Sequence, residues 1–299
     1  MPPASRPADP IDAILALDLG GRGIASFFQP GAAAAAARAL TGAERVIILT
    51  GFNVPPGLPE TDGPLGAAVL GRALRLLGAT VRYVTDRPPA DPLAATLQAL
   101  EEPAEVDVYP ELPGAARLLL EREQPTHLVS IERPGRSQSG DYFSARGESV
   151  AKWNLPLDDL FLAAHTLRAK AKKPRRAGPV TISIGDGGNE IGMGVARARL
   201  VRMSPLMARI ACVVPADHLV VAGTSNWGAY GIVAALERQH GRLLLHTGAI
   251  ERQLIARCVE AGAVDGLTGK SEASVDGLGT EIHAGVVELL HAAARRPGV

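Results

Sequence analysis

The chain has 299 residues, and its 31 basic and 31 acidic side chains give a formal net charge of zero. This balance argues against nucleic acid or an anionic membrane as the main partner. Two cysteines are too few for a disulfide scaffold, no apolar run is long enough to span a bilayer, and the N-terminus lacks the apolar core of a signal peptide. We therefore expect a soluble cytoplasmic protein that binds a small molecule, with homo-oligomerisation left open.

The first part of the chain alternates helical patterns with short apolar runs. Helices are predicted at 11–19, 31–40, 64–77, 91–100, 114–122 and 158–169, and strands at 45–51, 80–85, 106–109 and 126–132. The near-continuous apolar run at 45–51 is typical of a strand that is buried on both faces of a sheet. The alternation predicts an α/β fold with a doubly wound, mostly parallel sheet flanked by helices.

The second part of the chain predicts strands at 180–184, 210–214, 219–222 and 243–246, and helices at 226–239, 250–261 and 280–294. A further helix is expected directly after the glycine-rich turn that follows the strand at 180–184. A basic, proline-containing stretch at 168–176 predicts a solvated linker at about 170–178. This linker would divide a single domain, 1–299, into lobes 11–170 and 178–299, with the active site at the carboxyl ends of the strands.

The turn after the strand at 180–184 carries three polar side chains within five residues: Asp186, Asn189 and Glu190. Ligands bind at the carboxyl ends of strands in open α/β sheets, and the surrounding glycines allow a close approach of the backbone. The alternative is a tight turn in which Asp186 caps the next helix. The glycines match neither G-x-G-x-x-G nor a P-loop, so nucleotide binding is not implied.

Two other loops are rich in charge. The loop at 52–63 ends with Glu60 and Asp62 directly before a predicted helix. The long loop at 132–149 contains the charged side chains Glu132, Arg133, Arg136, Asp141, Arg146 and Glu148. Loops of this length are often functional, and guanidinium groups suit carboxylates, although a solvated surface loop remains the alternative. Paired-histidine zinc motifs are absent from the sequence, so a metal would be held by oxygen ligands, which favours Mg²⁺ or Mn²⁺.

Several polar residues have strong structural interpretations. Asp18 and Arg22 flank a glycine turn and are expected to form a local cap rather than part of a site. Asn226 is placed to cap the helix at 226–239. The tail at 264–279 contains Lys270, and Asp276 lies there in an Asp-Gly pair that is first of all a turn signal.

These loops together resemble the D-glutamate cyclase family. The matching stretches are 50–52, 59–64, 130–135, 140–142, 184–194, 226–228 and 275–277. They span nearly the whole chain and agree in order. The resemblance implies conversion of D-glutamate to 5-oxo-D-proline with loss of water, assisted by a divalent metal, Mn²⁺ or Mg²⁺.

The resulting hypothesis gives the candidate residues three roles. Asp186, Glu190 and Asn189 are the catalytic candidates. The predicted metal ligands are Asp186, Glu190, Glu60, Asp62, Glu132 and Asp141, and the predicted contacts to the amino-acid substrate are Arg133, Arg136, Asn226 and Lys270. Two alternatives stay open: a metal-dependent hydrolase of a related small carboxylate or cyclic amide, and a non-catalytic amino-acid-binding protein.

Overall fold

The computed structural model describes residues 9–170 and 178–295. Its strands are β1 (Arg45–Thr50), β2 (Asn53–Val54), β3 (Leu58–Pro59), β4 (Thr80–Thr85), β5 (Val106–Val108), β6 (His127–Ile131), β7 (Val180–Gly185), β8 (His218–Val221), β9 (Ser274–Val275) and β10 (Leu278–Gly279). Six of them form one parallel sheet in the order β5-β4-β1-β6-β7-β8. The short strands pair as two antiparallel hairpins, β2 with β3 and β9 with β10.

The strand order shows a doubly wound sheet, as the alternating sequence predicts. The chain first builds outward from β1 through β4 to β5, and then returns to add β6, β7 and β8 on the other side of β1. This change of direction is a topological switch point between β1 and β6. In such sheets a crevice forms there, at the carboxyl ends of the strands.

Helices cover both faces of the sheet. They are α1 (Pro10–Leu15), α2 (Ala32–Leu40), α3 (Pro64–Leu76), α4 (Arg87–Ala99), α5 (Ala115–Glu123), α6 (Asp159–Lys170), α7 (Arg197–Leu200), α8 (Pro205–Ile210), α9 (Ser225–His240), α10 (Gly248–Glu260) and α11 (Thr280–Ala294). Successive strand residues point to opposite faces. Ile48 thus packs into the core beneath α1 to α4 and α9 to α11, while its neighbours Ile47 and Leu49 pack into the core beneath α5 and α6.

Two predicted helices have other bounds, since α1 ends at Leu15 and α4 begins at Arg87, and three further predictions are wrong. Residues 210–214 are not a strand, because α8 ends at Ile210 and the chain then crosses a loop in which Cys212 bridges to Ser137. Residues 243–246 are not a strand either, since the amides of Leu244 and Leu245 donate to the Glu237 carboxylate, both at 3.0 Å, rather than to a neighbouring strand. The glycine-rich turn runs into further turns before the short helix α7.

Most of the basic stretch predicted as a linker lies outside the described residues, at 171–177. The strands on its two sides, β6 and β7, are direct neighbours in the sheet, with Val129 paired to Ile182. Both predicted lobes therefore contribute strands to the same sheet. Within 9–170 and 178–295, every helix is too short or too polar to cross a lipid bilayer.

Candidate active site

Six buried carboxylates converge at the switch point of the sheet. Each is less than one tenth exposed, and the six are Glu60, Asp62, Glu132, Asp186, Glu190 and Asp276. The loop between β3 and α3 supplies two of them, the end of β6 one, the loop after β7 two, and the β9–β10 turn the last. Glu132 (φ 43°) and Asp276 (φ 54°) adopt the left-handed backbone conformation that normally favours glycine.

Five of these carboxylates form two overlapping triads. Asp62, Asp186 and Asp276 make up the first, in which each residue offers an oxygen within 4.8 Å of the others. Glu132, Asp186 and Glu190 make up the second, under the same limit. Asp186 thus belongs to both triads and is the common point of the cluster.

The N-terminus of α9 holds two of the carboxylates in place. Asp62 accepts hydrogen bonds from the backbone amides of Ser225 and Asn226, both at 2.8 Å, and Glu132 accepts one from the Ser225 hydroxyl at 2.6 Å. The positive end of a helix dipole stabilises negative charge at this position. The residues that begin α9 therefore fix the spacing between Asp62 and Glu132.

Glu190 closes the glycine-rich turn after β7. Its carboxylate accepts hydrogen bonds from the backbone amides of Gly187 at 2.6 Å and Gly188 at 2.7 Å. Gly188 adopts φ 92°, a conformation that residues other than glycine rarely adopt. The glycine at this position therefore allows the turn to form. The alternative of Asp186 as a helix cap is wrong, because the turn is closed by Glu190 and Asp186 faces the cluster instead.

Arg22 is the cation that contacts the cluster from the N-terminal loop. Its guanidinium donates to Asp186 Oδ1 at 3.0 Å and also forms an ion pair with Asp276. Asp18 orients this loop by accepting hydrogen bonds from the backbone amides of Arg22 and Gly23, at 2.8 and 2.7 Å. The predicted local role is correct for Asp18, but Arg22 points into the site, which the sequence interpretation missed.

Among the fully buried side-chain oxygens of the cluster, two have no hydrogen-bond partner in the described residues. They are Asp186 Oδ2 and Asp276 Oδ2, and both are buried. A buried carboxylate oxygen without a partner is costly unless a proton or a cation compensates it. Such oxygen-rich donor sets suit hard divalent cations such as Mg²⁺ and Mn²⁺. The residues therefore fit a metal of the kind that the sequence suggests.

Burial and mutual repulsion change the acidity of the cluster. Burial raises the pKa of Glu60, Glu132 and Asp186 well above the ordinary range, and the neighbouring carboxylates raise it further. Burial, followed by the charge of Asp276, raises the pKa of Asp62 to about 8. Burial lowers the pKa of Arg22, but its carboxylate neighbours outweigh this effect and raise the pKa, so the guanidinium stays charged.

A cavity of about 370 Å³ opens onto the cluster. This volume lies within the range of small-molecule sites. The polar side chains that line it are Arg22, Glu60, Glu132, Ser144, Arg146, Glu148, Asn189, Glu190, Thr268 and Asp276. Gly266 lines the wall next to Glu60, where an added Cβ would lie only 1.8 Å from Glu60 Oε2. A side chain at 266 would therefore displace the Glu60 carboxylate from its position in the wall.

The two predicted arginine clamps have other partners. Arg133 is fully buried, where it pairs with Asp86 and donates to the carbonyl oxygen of Gly51 at 2.8 Å. Arg136 forms a two-pronged ion pair with Asp158, at 2.7 and 2.9 Å. Neither arginine lines the cavity. Their guanidinium groups anchor the loop at 132–149 to the body of the protein and are not free to bind a substrate carboxylate.

The remaining predicted residues fall in different places. Asn189 lines the cavity, and its side chain donates to the carbonyl oxygen of Phe143 at 2.8 Å. Asp141 lies outside the cavity and accepts hydrogen bonds from its own loop, including one from the Ser149 hydroxyl at 2.9 Å. Lys270 is exposed and does not line the cavity.

Asn226 does not cap its own helix, because Thr224 does. Its side-chain oxygen instead accepts hydrogen bonds from the amides of Gly63 at 3.0 Å and Gly66 at 2.7 Å, and its NH₂ group donates to the Thr61 carbonyl oxygen at 3.2 Å. The side chain therefore bridges α9 to the start of α3. It supports the site through the backbone rather than by facing the cavity.

Comparison with known proteins identifies the family of this chain. The family model described as D-glutamate cyclase-like, C-terminal, matches residues 11–291. The human protein named D-glutamate cyclase, mitochondrial, is 31% identical over 274 residues, which cover 86% of this chain. These residues span 42% of the human protein, so the chain corresponds to less than half of that relative.

A solved structure of an exopolyphosphatase-related protein from Bacteroides fragilis covers 89% of this chain and 57% of its own. Its TM-score of 0.40 and its 10% sequence identity are too low to support any statement about fold or function. The family match extends over most of the chain, and the similarity to the human relative extends over 86% of it. The chain belongs to the D-glutamate cyclase-like, C-terminal family.

Proposed function

We propose that this protein is a lyase that closes D-glutamate to 5-oxo-D-proline with the loss of water. The name of the human relative and the membership in its family support this reaction. The chain spans only part of that relative, so the activity is assigned here to the site rather than to the whole relative. The observation that carries the proposal is the pair of carboxylate triads sharing Asp186, at the edge of the cavity.

The reaction forms one bond and breaks another within a single substrate. The amine nitrogen attacks the γ-carboxyl carbon, a C–N bond forms, a C–O bond breaks, and the oxygen leaves as water after gaining protons. Attack within one molecule is favoured when the cavity holds the amine and the carboxyl group in contact, because little orientational freedom is then left to lose. The site must therefore fix the substrate, accept the ammonium proton and stabilise charge on the γ-carboxyl group.

The carboxylates that would hold a divalent metal are those of the two triads. They are Asp62, Glu132, Asp186, Glu190 and Asp276. When bound, a cation of this kind acts as a Lewis acid that polarises a carboxyl group. Arg22 holds Asp186 and Asp276 in fixed positions by its two ion pairs, so the oxygens that would receive the cation are ordered in advance.

Glu60 is our candidate for the group that accepts the ammonium proton. It lines the cavity, belongs to neither triad, and accepts no side-chain hydrogen bond from the described residues. A carboxylate in such a position is free to contact a substrate amine. Arg146 lies at the rim of the same cavity, where one of its nitrogens donates to the Leu267 carbonyl oxygen at 2.6 Å. Its other donors are available for a substrate carboxylate.

The test is a product assay with purified protein. D-glutamate and L-glutamate are incubated separately with Mn²⁺, with Mg²⁺ and with EDTA, and 5-oxoproline is quantified by NMR and chiral chromatography. We expect metal-dependent product from the D-isomer, and a protein-free sample corrects for spontaneous cyclisation. Absence of product from D-glutamate under all three conditions would overturn the proposal, whereas equal product with EDTA would remove the metal from it.

A further inference from the structure

We propose that Arg146 binds the α-carboxylate of the substrate and is the residue by which the site selects a free α-amino acid. This inference rests on the proposed function and deepens it, because it assigns the end of the substrate that does not react. The proposed reaction requires the γ-carboxyl group to lie at the carboxylate triads. The α-carboxylate must therefore be bound by another part of the cavity wall.

The charge of the cavity wall makes a cation necessary for this second carboxylate. The charged side chains that line the cavity are five acids and two arginines, namely Glu60, Glu132, Glu148, Glu190 and Asp276 with Arg22 and Arg146. An acidic wall repels an anionic group unless a positive side chain faces that group. Arg22 already forms ion pairs with Asp186 and Asp276, so its charge is compensated. Among the described residues, Arg146 is the guanidinium of the cavity wall that pairs with no carboxylate.

The backbone around Arg146 forms a closed turn. The Gly147 amide donates to the Ser144 carbonyl oxygen at 2.9 Å, and the Ser144 amide donates to the Glu148 carbonyl oxygen at 2.9 Å. The Arg209 side chain donates to the Gly147 carbonyl oxygen at 2.5 Å and so holds the turn from outside. A side chain on a backbone that is already ordered loses less freedom when it binds a ligand.

The guanidinium of Arg146 is tied to a second turn of the cavity wall. One of its nitrogens donates to the Leu267 carbonyl oxygen at 2.6 Å. Asp265 orders this second turn, because its carboxylate accepts hydrogen bonds from the amides of Leu267 at 2.9 Å and Thr268 at 2.8 Å. A carbonyl oxygen carries no net charge and uses one of several guanidinium donors. The positive charge and the remaining donors of Arg146 are therefore available for a carboxylate.

A substrate with a blocked α-carboxyl group would lose this contact. In the α-amide of D-glutamate, or in a peptide that continues from the α-carboxyl group, a neutral group would face the guanidinium. Hydrogen bonds between a guanidinium and a carboxylate are stronger than those to a neutral amide. The contact to Arg146 thus favours the free amino acid over its α-amide and over the peptide.

Binding of the reaction product tests this assignment without turnover. 5-Oxo-D-proline retains the α-carboxylate as its one carboxylate, and 5-oxo-D-prolinamide has a neutral amide in its place. Isothermal titration calorimetry with the Mn²⁺-loaded full chain measures both dissociation constants. We expect the acid to bind at least about 30-fold more tightly than the amide, and this preference to fall below about threefold in Arg146→Met.

Two results of the titration would overturn the assignment. One is a preference that persists in Arg146→Met, because the carboxylate would then be bound by another group, such as the cation. The other is an unmutated protein that binds the acid no more tightly than the amide, or that binds neither.

Further variants separate charge from shape. Arg146→Lys keeps a positive charge without the planar fork, so it should retain a preference of about three- to tenfold. Arg257→Met is the matched control, since Arg257 is exposed on α10 and pairs with Glu260, and it should bind both compounds as the unmutated protein does. Circular dichroism checks that each variant is folded. If Arg146→Met is not, Arg146→Gln provides the neutral side chain, and an unchanged preference in it would overturn the assignment.

The product assay separates this proposal from the proposed function. Cyclisation of D-glutamate, combined with equal binding of the acid and the amide, would overturn the role of Arg146 but keep the activity. A preference that depends on Arg146, without cyclisation of D-glutamate, would keep the carboxylate site and overturn the activity. When both are found, Arg146→Met should raise KM for D-glutamate more than it lowers kcat, because the α-carboxylate lies away from the bonds that form and break.

Discussion

Arg22 and Asp276 form an ion pair although 253 residues separate them in the chain, and the same guanidinium contacts Asp186. The N-terminal loop and the C-terminal hairpin are thereby tied to the loop after β7. The Arg22 guanidinium partly balances the charge of the buried carboxylates. Its removal should therefore lower both the free energy of unfolding and the activity.

Replacing Arg22 with Met should destabilise the metal-free protein by roughly 2–4 kcal/mol, because the carboxylates lose the guanidinium that pairs with them. This loss is smaller than for a fully buried ion pair because Arg22 is partly exposed. Added Mn²⁺ should recover part of this loss. Urea unfolding with EDTA or Mn²⁺ measures both effects. Arg168→Met is the control, since Arg168 is exposed to a similar degree (24% against 21%) but pairs with the half-exposed Asp217. Equal losses in the two variants would contradict the role given to Arg22.

Asp186→Asn should abolish turnover while preserving the fold. The amide has nearly the same shape but cannot provide the shared anionic ligand, so kcat should fall at least about 100-fold. The metal-free variant should remain folded, because the side-chain oxygen of asparagine can still accept the hydrogen bond from Arg22. Steady-state kinetics and thermal melting provide the two measurements. Asp107→Asn, at an exposed ion pair with Arg82, controls for the loss of an aspartate; near-normal turnover by Asp186→Asn would disprove the assignment.

Gly266→Ala should impair catalysis more than folding. The new Cβ would lie 1.8 Å from Glu60 Oε2, so the Glu60 side chain must move out of its position in the cavity wall. We expect kcat/KM for D-glutamate to fall at least about tenfold with a small change in melting temperature. Gly279→Ala is the matched control, since it has open space around the added Cβ and an ordinary φ of −70°. An unchanged kcat/KM in Gly266→Ala would exclude Glu60 from the reaction.

Asn226→Ala should reduce stability without a large change in KM. It removes the acceptor for the amides of Gly63 and Gly66 and the donor to Thr61, so we expect a loss of about 2–4 kcal/mol in the free energy of unfolding. Substrate binding by the folded variant should stay within about threefold. Gln239→Ala, at an exposed position, should cost less than about 0.5 kcal/mol. A stable variant with a greatly raised KM would restore Asn226 as a substrate contact.

The stability of the metal-free protein should fall as the pH rises. Glu60, Asp62, Glu132 and Asp186 have raised pKa values, so the folded chain binds more protons than the unfolded chain. Their contribution is complete below about pH 4 and is lost as the pH approaches the folded pKa values, about 8 for Asp62. Cations compete with these protons, so stabilisation by Mn²⁺ should grow over the same window. Urea unfolding in EDTA at several pH values checks the sign; stability that rises from about pH 5 to 8 would contradict it.

The central strands could be predicted from the sequence because a strand that is buried on both faces is a continuous apolar run. The apolar runs of β1, β6 and β7 correspond to adjacent strands at the middle of the sheet. The run at 210–214 was misleading for the same reason, since a short apolar segment in a buried loop has no distinguishing period. Cys212 is buried there through packing against the loop at 132–149, which no local pattern encodes.

The carboxylates directly after strand ends could be located from sequence, because parallel strands bring their carboxyl ends to one edge of the sheet. Asp276 and Arg22 could not be located in this way, since they reach the site from a distant turn and loop. Arg133 and Arg136 show the opposite difficulty. Their sequence suggests anion binding, but the carboxylates that they bind, Asp86 and Asp158, belong to the protein itself.

At Glu132 and Asp276, the left-handed backbone favours glycine for stability, whereas the proposed reaction needs the carboxylates. Glycine would adopt these conformations with less strain, by about 1 kcal/mol at each position. A laboratory evolution experiment that rewards heat resistance alone should therefore accumulate glycine at 132 and 276. The selected variants would keep the parallel sheet but lose one carboxylate from each triad. Heat-resistant variants would therefore lose activity through substitutions at these two positions first.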